Sequence, residues 1–316
     1  MISLAQRGAL PLAWAAVVAI FAGLDPDTFP TTGNFQTIFG SQTVLVVLTL
    51  ALLVPLTAGD YDLSIASVLS LSAMIVALLN VDHGWPIGAA VVTAVLSGAV
   101  VGVANGGLVV LVGLDSFVTT LGSSAFVSGV VLWISGSRTI GGVSDDLVEP
   151  LTVWRFLGIP VGFYYGLGLC IALWLVLELT PSGRRLLFVG RGREVSRLSG
   201  VRVGRVRFGA FLASATLSAA AGVVYAGTTG GADPSSGASF LLPAFAAAFL
   251  GATSVVPGRF NPWGSLLAVY FLVTGITGLQ LLGVESFVQQ LFYGGALVLA
   301  LIVSRLTQGT RAGLAR

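Results

Sequence analysis

Lysine is absent from this 316-residue chain: all fifteen of its basic residues are arginine. A nucleotide-binding P-loop is thereby excluded, because G-x-x-x-x-G-K-[ST] needs a lysine ammonium to reach the β- and γ-phosphates. There is one histidine, His83, and one cysteine, Cys170. These allow neither an H-E-x-x-H or multi-histidine metal site nor an intramolecular disulfide or C-x-x-C redox pair. Charge of either sign is scarce, at 9% of residues, against about a quarter in an ordinary soluble domain. A chain so poor in charge cannot cover itself with a soluble surface. No hydrolase, redox or ATPase motif is present, and neither a metal nor a cofactor is expected.

What fills the sequence instead is apolar: 55% hydrophobic residues, with 42 glycines. A helix needs about 20 apolar residues to cross the hydrocarbon core. Ten stretches qualify: 8–24, 42–58, 63–80, 86–112, 116–136, 160–180, 208–229, 240–256, 262–282 and 286–304. The fold expected is all-α, a polytopic transmembrane helical bundle of about ten spans. Residues 8–24 exceed the usual signal-peptide core of about 7–15 residues and are taken as an uncleaved first helix. The connection at Gly59–Asp62 is so short that one of the two helices flanking it is broken or re-entrant.

Eight of the fifteen arginines fall within residues 181–207, between two long apolar runs. With the N-terminus inside, ten spans put both termini and this loop in the cytoplasm. Thirteen arginines then lie inside: Arg7, the eight from Arg184 to Arg207, Arg259, Arg305, Arg311 and Arg316. Only Arg138 and Arg155 lie outside, as the positive-inside rule requires. The basic balance, with a pI near 9, therefore reports membrane orientation and not a nucleic-acid partner. The longest outer loop, 137–159, carries an acidic rim of Asp145, Asp146 and Glu149 that is expected to meet an external partner.

Residues 113–121, GLDSFVTTL, reappear as GVESFVQQL at 283–291, and Asp62 and Ser64 in GDYDLS correspond to Asp233 and Ser235 in GADPSS. The offsets of 170 and 171 residues correspond to five spans. An odd number inverts one half relative to the other, the arrangement that places a solute path at the interface of the halves. The domain organisation expected is one transmembrane unit, with half-repeats 1–136 and 160–316 about the external loop 137–159.

No expected span carries a charge at its middle, which disfavours a proton- or ion-coupled relay. Polar uncharged residues within spans can hydrogen-bond a neutral polyhydroxylated solute without burying charge. Asn105, Thr119, Thr120, Ser128 and Thr274 are the candidates to line such a path. The same residues can equally hydrogen-bond neighbouring helices, alongside small-residue packing at Gly98…Gly102 and Gly102…Gly106. In the arginine-rich loop, Gly190–Gly200 can form a short helix with Glu194, Arg197 and Leu198 at helical spacing and Gly200 as C-cap. That is the form of a docking element, although arginines there also serve topology and anionic lipid.

These residues resemble a family, the permease subunits of ATP-binding-cassette importers for monosaccharides of the ribose/xylose type. The resemblance lies in GDYDLSIASVLSLSA (59–73), NGGLVVLVGLDSFVTTLG (105–122), SGSRTIGG (135–142), GRRLLFVGRGREVSRLSGV (183–201), LPAFAAAFLGATS (242–254) and NPWGSLLAVYFLVTGITGLQLLGV (261–284). It covers the chain from about residue 40 to the C-terminus. It implies a multi-pass subunit of a prokaryotic inner membrane, working with a cytoplasmic ATPase that binds the ATP, an external solute-binding protein and a second permease copy. It further implies that Asp62, Leu63 and Ser64 form the family's turn. Coupling to the ATPase would fall to Arg191, Arg193, Glu194, Arg197, Leu198 and Gly200. Three departures stand out: an additional acid at Asp60, arginines at 191 and 193, and PGRFNPW at 257–263 where the family is glycine-rich. A stand-alone carrier or facilitator for a small polar solute is the competing function.

Overall fold

The computed structural model describes the backbone of residues 4–285 and 287–313, with side chains from residue 7 to 302 apart from 286. Arg305, Arg311 and Arg316, three of the arginines expected inside, have side chains outside the described residues. The helices are α1 (Leu4–Leu24), α2 (Thr32–Ser41), α3 (Thr43–Thr57), α4 (Ile65–Ala77), α5 (Ile87–Gly107), α6 (Ser116–Ser135) and α7 (Asp145–Thr152). They continue as α8 (Val161–Leu179), α9 (Pro181–Arg191), α10 (Arg193–Leu198), α11 (Val203–Thr229), α12 (Ala238–Gly251), α13 (Pro262–Leu281) and α14 (Phe287–Gly313). Among the described residues, eight helical segments are long and apolar enough to cross a membrane, and Ala238–Gly251 and Phe287–Ile302 are shorter apolar helices. Each of the ten expected spans thus has a helix.

The bundle is built around α3. All fifteen of its residues are buried, as a helix apolar on every face must be. Two of its three hydroxyls return to the helix itself, Thr49 donating to the Leu45 carbonyl and Thr57 to that of Leu53, while Thr43 donates to the Gly40 carbonyl of α2. Helix α11, about 40 Å long at 1.5 Å per residue, packs along α3, α4 and α5. Helices α12 and α13 close the other flank of α3, and α1 lies against α13. The Trp14 indole of α1 donates to Thr274 on α13.

Small residues set how closely these helices approach. On α5, Gly98, Gly102 and Gly106 form a stripe facing α11. A Cβ at Gly102 would come within 2.9 Å of the Phe211 carbonyl, the Leu212 Cα and the Ala215 Cβ. The α4–α12 crossing is closer still: a Cβ on Gly237 would sit 1.9 Å from the Ala66 carbonyl oxygen, while the Gly237 N–H donates to Ser70.

Two boundaries differ from expectation. The span 240–256 ends as a helix at Gly251, and residues 252–260 are irregular, with Val255 at φ +60°. Gly251 is wedged against the backbone of Gly264 and Ser265. The turn is then gathered by Asn261, whose amide nitrogen donates to the carbonyls of Gly251, Ser254 and Arg259 and whose oxygen caps α13 at Gly264. Residues 181–191, expected as loop, form α9, started by the Thr180 hydroxyl accepting from the Gly183 N–H, with Pro181 in the first turn. The turn at Gly59–Asp62 joins two helices, and α3 is nearly continuous with α2 through Gln42.

Because Gly102 touches backbone as well as side chains, Gly102→Val is expected to destabilise the bundle by about 3 kcal/mol, at the upper end of overpacking costs. Gly129, with nothing within 4 Å of its virtual Cβ, is the control. A thermal melt in detergent that moves equally for Gly102→Val and Gly129→Ala would contradict this packing.

Candidate functional site

The seven residues between α3 and α4, Ala58 to Ser64, are buried over most of their length yet form no helix. Their backbone must therefore find partners elsewhere. The Gly59 and Asp60 N–H groups turn back to the Leu56 and Pro55 carbonyls. Tyr61 N–H donates to the Ser116 hydroxyl at 3.3 Å and Leu63 N–H to the Thr120 hydroxyl at 3.0 Å, both on α6. Gly59 turns the chain at φ +77°, a conformation that costs least for glycine.

Two carboxylates lie in this connector and do different work. Asp62 is fully buried. Its Oδ1 accepts from the Ser64 N–H and hydroxyl, and its Oδ2 from the Ser214 hydroxyl of α11 at 2.8 Å. Burial pushes this carboxyl above its usual value, and those three hydrogen bonds pull against the shift. The Asn105 amide of α5 completes the cluster by donating to Ser64 Oγ at 2.9 Å. Asp60 is 1% exposed and faces the arginine-rich segment. Arg207, at the start of α11, grips it with two bonds of 2.7 Å, and Arg193, the first residue of α10, adds one of 2.9 Å. Arg193 also donates to the Gly59 carbonyl. A buried carboxylate so paired is a strong, directional link. It fastens α10, α11 and the connector to one another.

Gly190, at the end of α9, fits beneath this link: a Cβ there would lie 2.0 Å from the Thr57 carbonyl oxygen. Ser196 is the buried residue of α10. Glu194, Val195, Arg197 and Leu198 are exposed, Leu198 by 78%. Arg197 pairs with Glu194 at 2.6 Å along the same helix. Gly200 follows at φ +81°, as a helix-terminating glycine does. A cavity of about 280 Å³ opens beside the link, bounded by Asp60, Tyr61, Gly190 and Arg259.

The turn at Asp62 has a counterpart at the opposite end of the bundle. Asp233 Oδ1 accepts from the Ser235 N–H and hydroxyl at 2.9 and 2.5 Å, just before α12. Those bonds, with one from Thr139, hold the Asp233 carboxyl below its usual value.

The remaining sequence candidates scatter. Asn105 and Thr120 are enclosed beside the connector, and Thr274 is enclosed between α13 and α1. Thr119, half-buried in the first turn of α6, donates to the Asp115 carbonyl, and Ser128 is half-buried farther along α6. Arg191 is exposed at the end of α9. Among the described residues, no group of three or more His, Cys, Asp or Glu could hold a metal ion. The Asp60–Arg207 pair is absent from the sequence-derived candidates, since residues 147 apart share no local pattern. The surplus acid at Asp60 was its one visible sign.

A polytopic helical bundle with a basic helix presented at one end and tied to its central helices fits a membrane-transport subunit. The comparisons agree. Residues 34–301 match the family described as the branched-chain amino acid transport system permease component, and the chain belongs to this family. It is 32% identical over 292 residues to the D-allose transport system permease protein AlsC of Escherichia coli strain K12, covering 92% of this chain and 89% of that protein. It is 30% identical to the autoinducer 2 import system permease protein LsrD of Salmonella typhimurium, covering 82% and 79%, and 29% identical to LsrD of Photorhabdus luminescens, covering 81% and 78%. No solved structure matches the chain. The protein is a membrane-spanning permease component of an ATP-binding-cassette importer, a class in which ATP hydrolysis lies in a separate chain and solute is delivered by a binding protein.

Removing one member of a buried ion pair costs about 3–5 kcal/mol, whereas an exposed pair is worth under about 1 kcal/mol. Asp60→Ala and Arg207→Ala should both fall in the first range. Arg193, 45% exposed, should fall well below it. Equal losses for Arg193→Ala and Arg207→Ala in chemical unfolding would contradict the assignment of Arg207 as the principal partner.

Proposed function

We propose that this permease imports a monosaccharide or similar small polar solute by alternating access, with its arginine-rich end in the cytoplasm and α10 as the surface that receives the ATPase. The carrying observation is the Asp60 link: a helix exposed at every residue but Ser196 is held at its base by buried charge to the connector of the central helices. Movement imposed on α10 then reaches α4 and α11 directly. The D-allose relative supports the cargo class, since the similarity extends over 92% of this chain.

The orientation is supported by how the polar contacts sort. At the end holding α10 lie the Asp60 link, the Glu178–Arg259 pair and the Ser254–Arg7 carbonyl bond. At the other end lie Asp82–Arg138, Thr139–Asp233 and Gln36–Arg155. Each of these contacts joins loops assigned to one side by the ten-span reading. The matching turns at Asp62 and Asp233, facing opposite ends, support two inverted halves.

For the solute path, formed with a second permease copy, Thr119 and Ser128 are the candidates that reach a surface in the single subunit. Around Asp145, Asp146 and Glu149, all exposed on α7, we place the contact with the binding protein, where acidic side chains steer association.

Two measurements test this reading. Arg197→Ala with Leu198→Ala is expected to abolish uptake and to uncouple ATP hydrolysis from solute in reconstituted vesicles, with the permease still inserted. Undiminished uptake would remove α10 as the docking surface. In a Cys170→Ser background, a cysteine at 119 or 128 is expected to react with a water-soluble thiol reagent to an extent that changes with nucleotide. No labelling at either position in any state would take both out of the path.

A further inference from the structure

Helices α8 and α11 each pack on α3 and each meet α9, yet barely touch one another. The cleft left between them has a volume of about 790 Å³, floored by Val54 of α3 and closed at one end by α9. Its walls run from Leu169 to Leu177 on α8 and from Arg205 to Leu217 on α11. Twelve residues of helix cover about 18 Å, close to one leaflet of a hydrocarbon core about 30 Å thick.

The polar groups of the cleft gather at its α9 end: Arg185, Arg205 and Ser182. Deeper in, the one further hydroxyl, Thr216, is already donating to the Leu212 carbonyl at 2.7 Å. Of the eight arginines from 184 to 207, Arg193 and Arg207 are bound to Asp60 and Arg197 to Glu194. Among the described residues the other five have no side-chain partner, and of those five Arg185 and Arg205 border the cleft. Two unneutralised guanidinium groups thus stand at the mouth of an apolar slot one leaflet deep.

We propose that this cleft binds an anionic glycerophospholipid of the leaflet at the α9 end, with an acyl chain along α8 and α11 and the phosphate between Arg185 and Arg205. Each part of the ligand meets its chemical complement. The phosphodiester oxygens accept from planar guanidinium forks, and the Ser182 hydroxyl can add a donor. The hydrocarbon tail meets a wall with no free donor. A sugar would meet the same wall and leave its hydroxyls unbonded, at considerable cost. The leaflet's name, cytoplasmic, rests on the orientation proposed above. The chemistry of the ligand does not.

The test is the lipid that accompanies the protein out of the membrane. The permease is purified from bacterial membranes in mild detergent, and bound phosphatidylglycerol, cardiolipin and phosphatidylethanolamine are quantified by mass spectrometry. The wild-type chain is expected to be enriched in the anionic lipids. Arg185→Ala with Arg205→Ala should lower that enrichment about tenfold or more, since each cation near an anionic headgroup contributes about 1 kcal/mol. Arg184→Ala with Arg202→Ala removes two arginines outside the cleft and should leave the enrichment unchanged. Ala213→Phe fills the slot while keeping both arginines, and should displace the lipid without altering the charge. Equal loss in the two arginine doubles would reduce the effect to net charge and overturn the site. Retention of anionic lipid by Ala213→Phe, or no preference over phosphatidylethanolamine in the wild type, would overturn it as well. None of these readouts depends on transport, so they stand or fall separately from the import function.

Discussion

A carboxylate withdrawn almost wholly from water can remain charged only if cations are brought to it, and Asp60 brings two. Arg207 arrives from α11 and Arg193 from α10, so one side chain of the connector fixes the relative positions of three elements far apart in sequence. Neighbouring groups then fall into place. Asp62 can be held by Ser214 because α11 is already seated, and the Ser116 and Thr120 hydroxyls can receive the connector's N–H groups because α6 packs against α4. The polar groups of the connector form two adjoining clusters, one about Asp60 and one about Asp62, in which few members lack a partner. Such clusters make a structure specific more than they make it stable, because each bond made replaces a bond to water.

Away from this end the bundle is held by shape. Helices α4, α5, α11 and α12 meet through glycine, alanine and serine, where backbones approach to distances that a single methyl group would violate. In a bilayer there is little hydrophobic gain in moving an apolar side chain from lipid to protein, so close packing and short interhelical hydrogen bonds carry the association. The buried serines 70 and 72 illustrate this, one accepting from the Gly237 N–H and the other donating to the Ala219 carbonyl.

The helices were legible in the sequence because long apolar runs in a chain with 9% charge leave few alternatives. The small-residue stripe on α5 was legible for the same reason, as a spacing of four. What escaped was of two kinds. The end of α12 at Gly251 was signalled by Pro257-Gly258 and Asn261-Pro262, but hydropathy averaged over the window ran through it. The amphipathic α9 was hidden because its arginines suggested a loop, although Thr180-Pro181 is a sound start for a helix. At the site, the acid at 60 and the arginine at 193 both departed from the pattern of the resembled family; the acid stood unexplained, and the arginine was expected only to couple to the ATPase. The structure joins them. Asn105, Thr120 and Thr274 show the converse: residue type and span position made them conspicuous, but only tertiary packing decides whether a polar group faces a neighbouring helix or open space.

The sharing of Asp60 between two arginines also constrains how such a link can arise in a lineage. An arginine at 193 without the acid would rest at the surface at little cost, whereas one at 207, its side chain only 16% exposed, would be left largely buried without its partner. The acid without its arginines would be a lone buried charge beneath the central helices, costly enough to unfold many membrane bundles. Neither Asp60 nor Arg207 is therefore readily gained or lost alone, whereas the half-exposed Arg193 is. The inner pair has to change together, and the outer arginine is left free to vary around it.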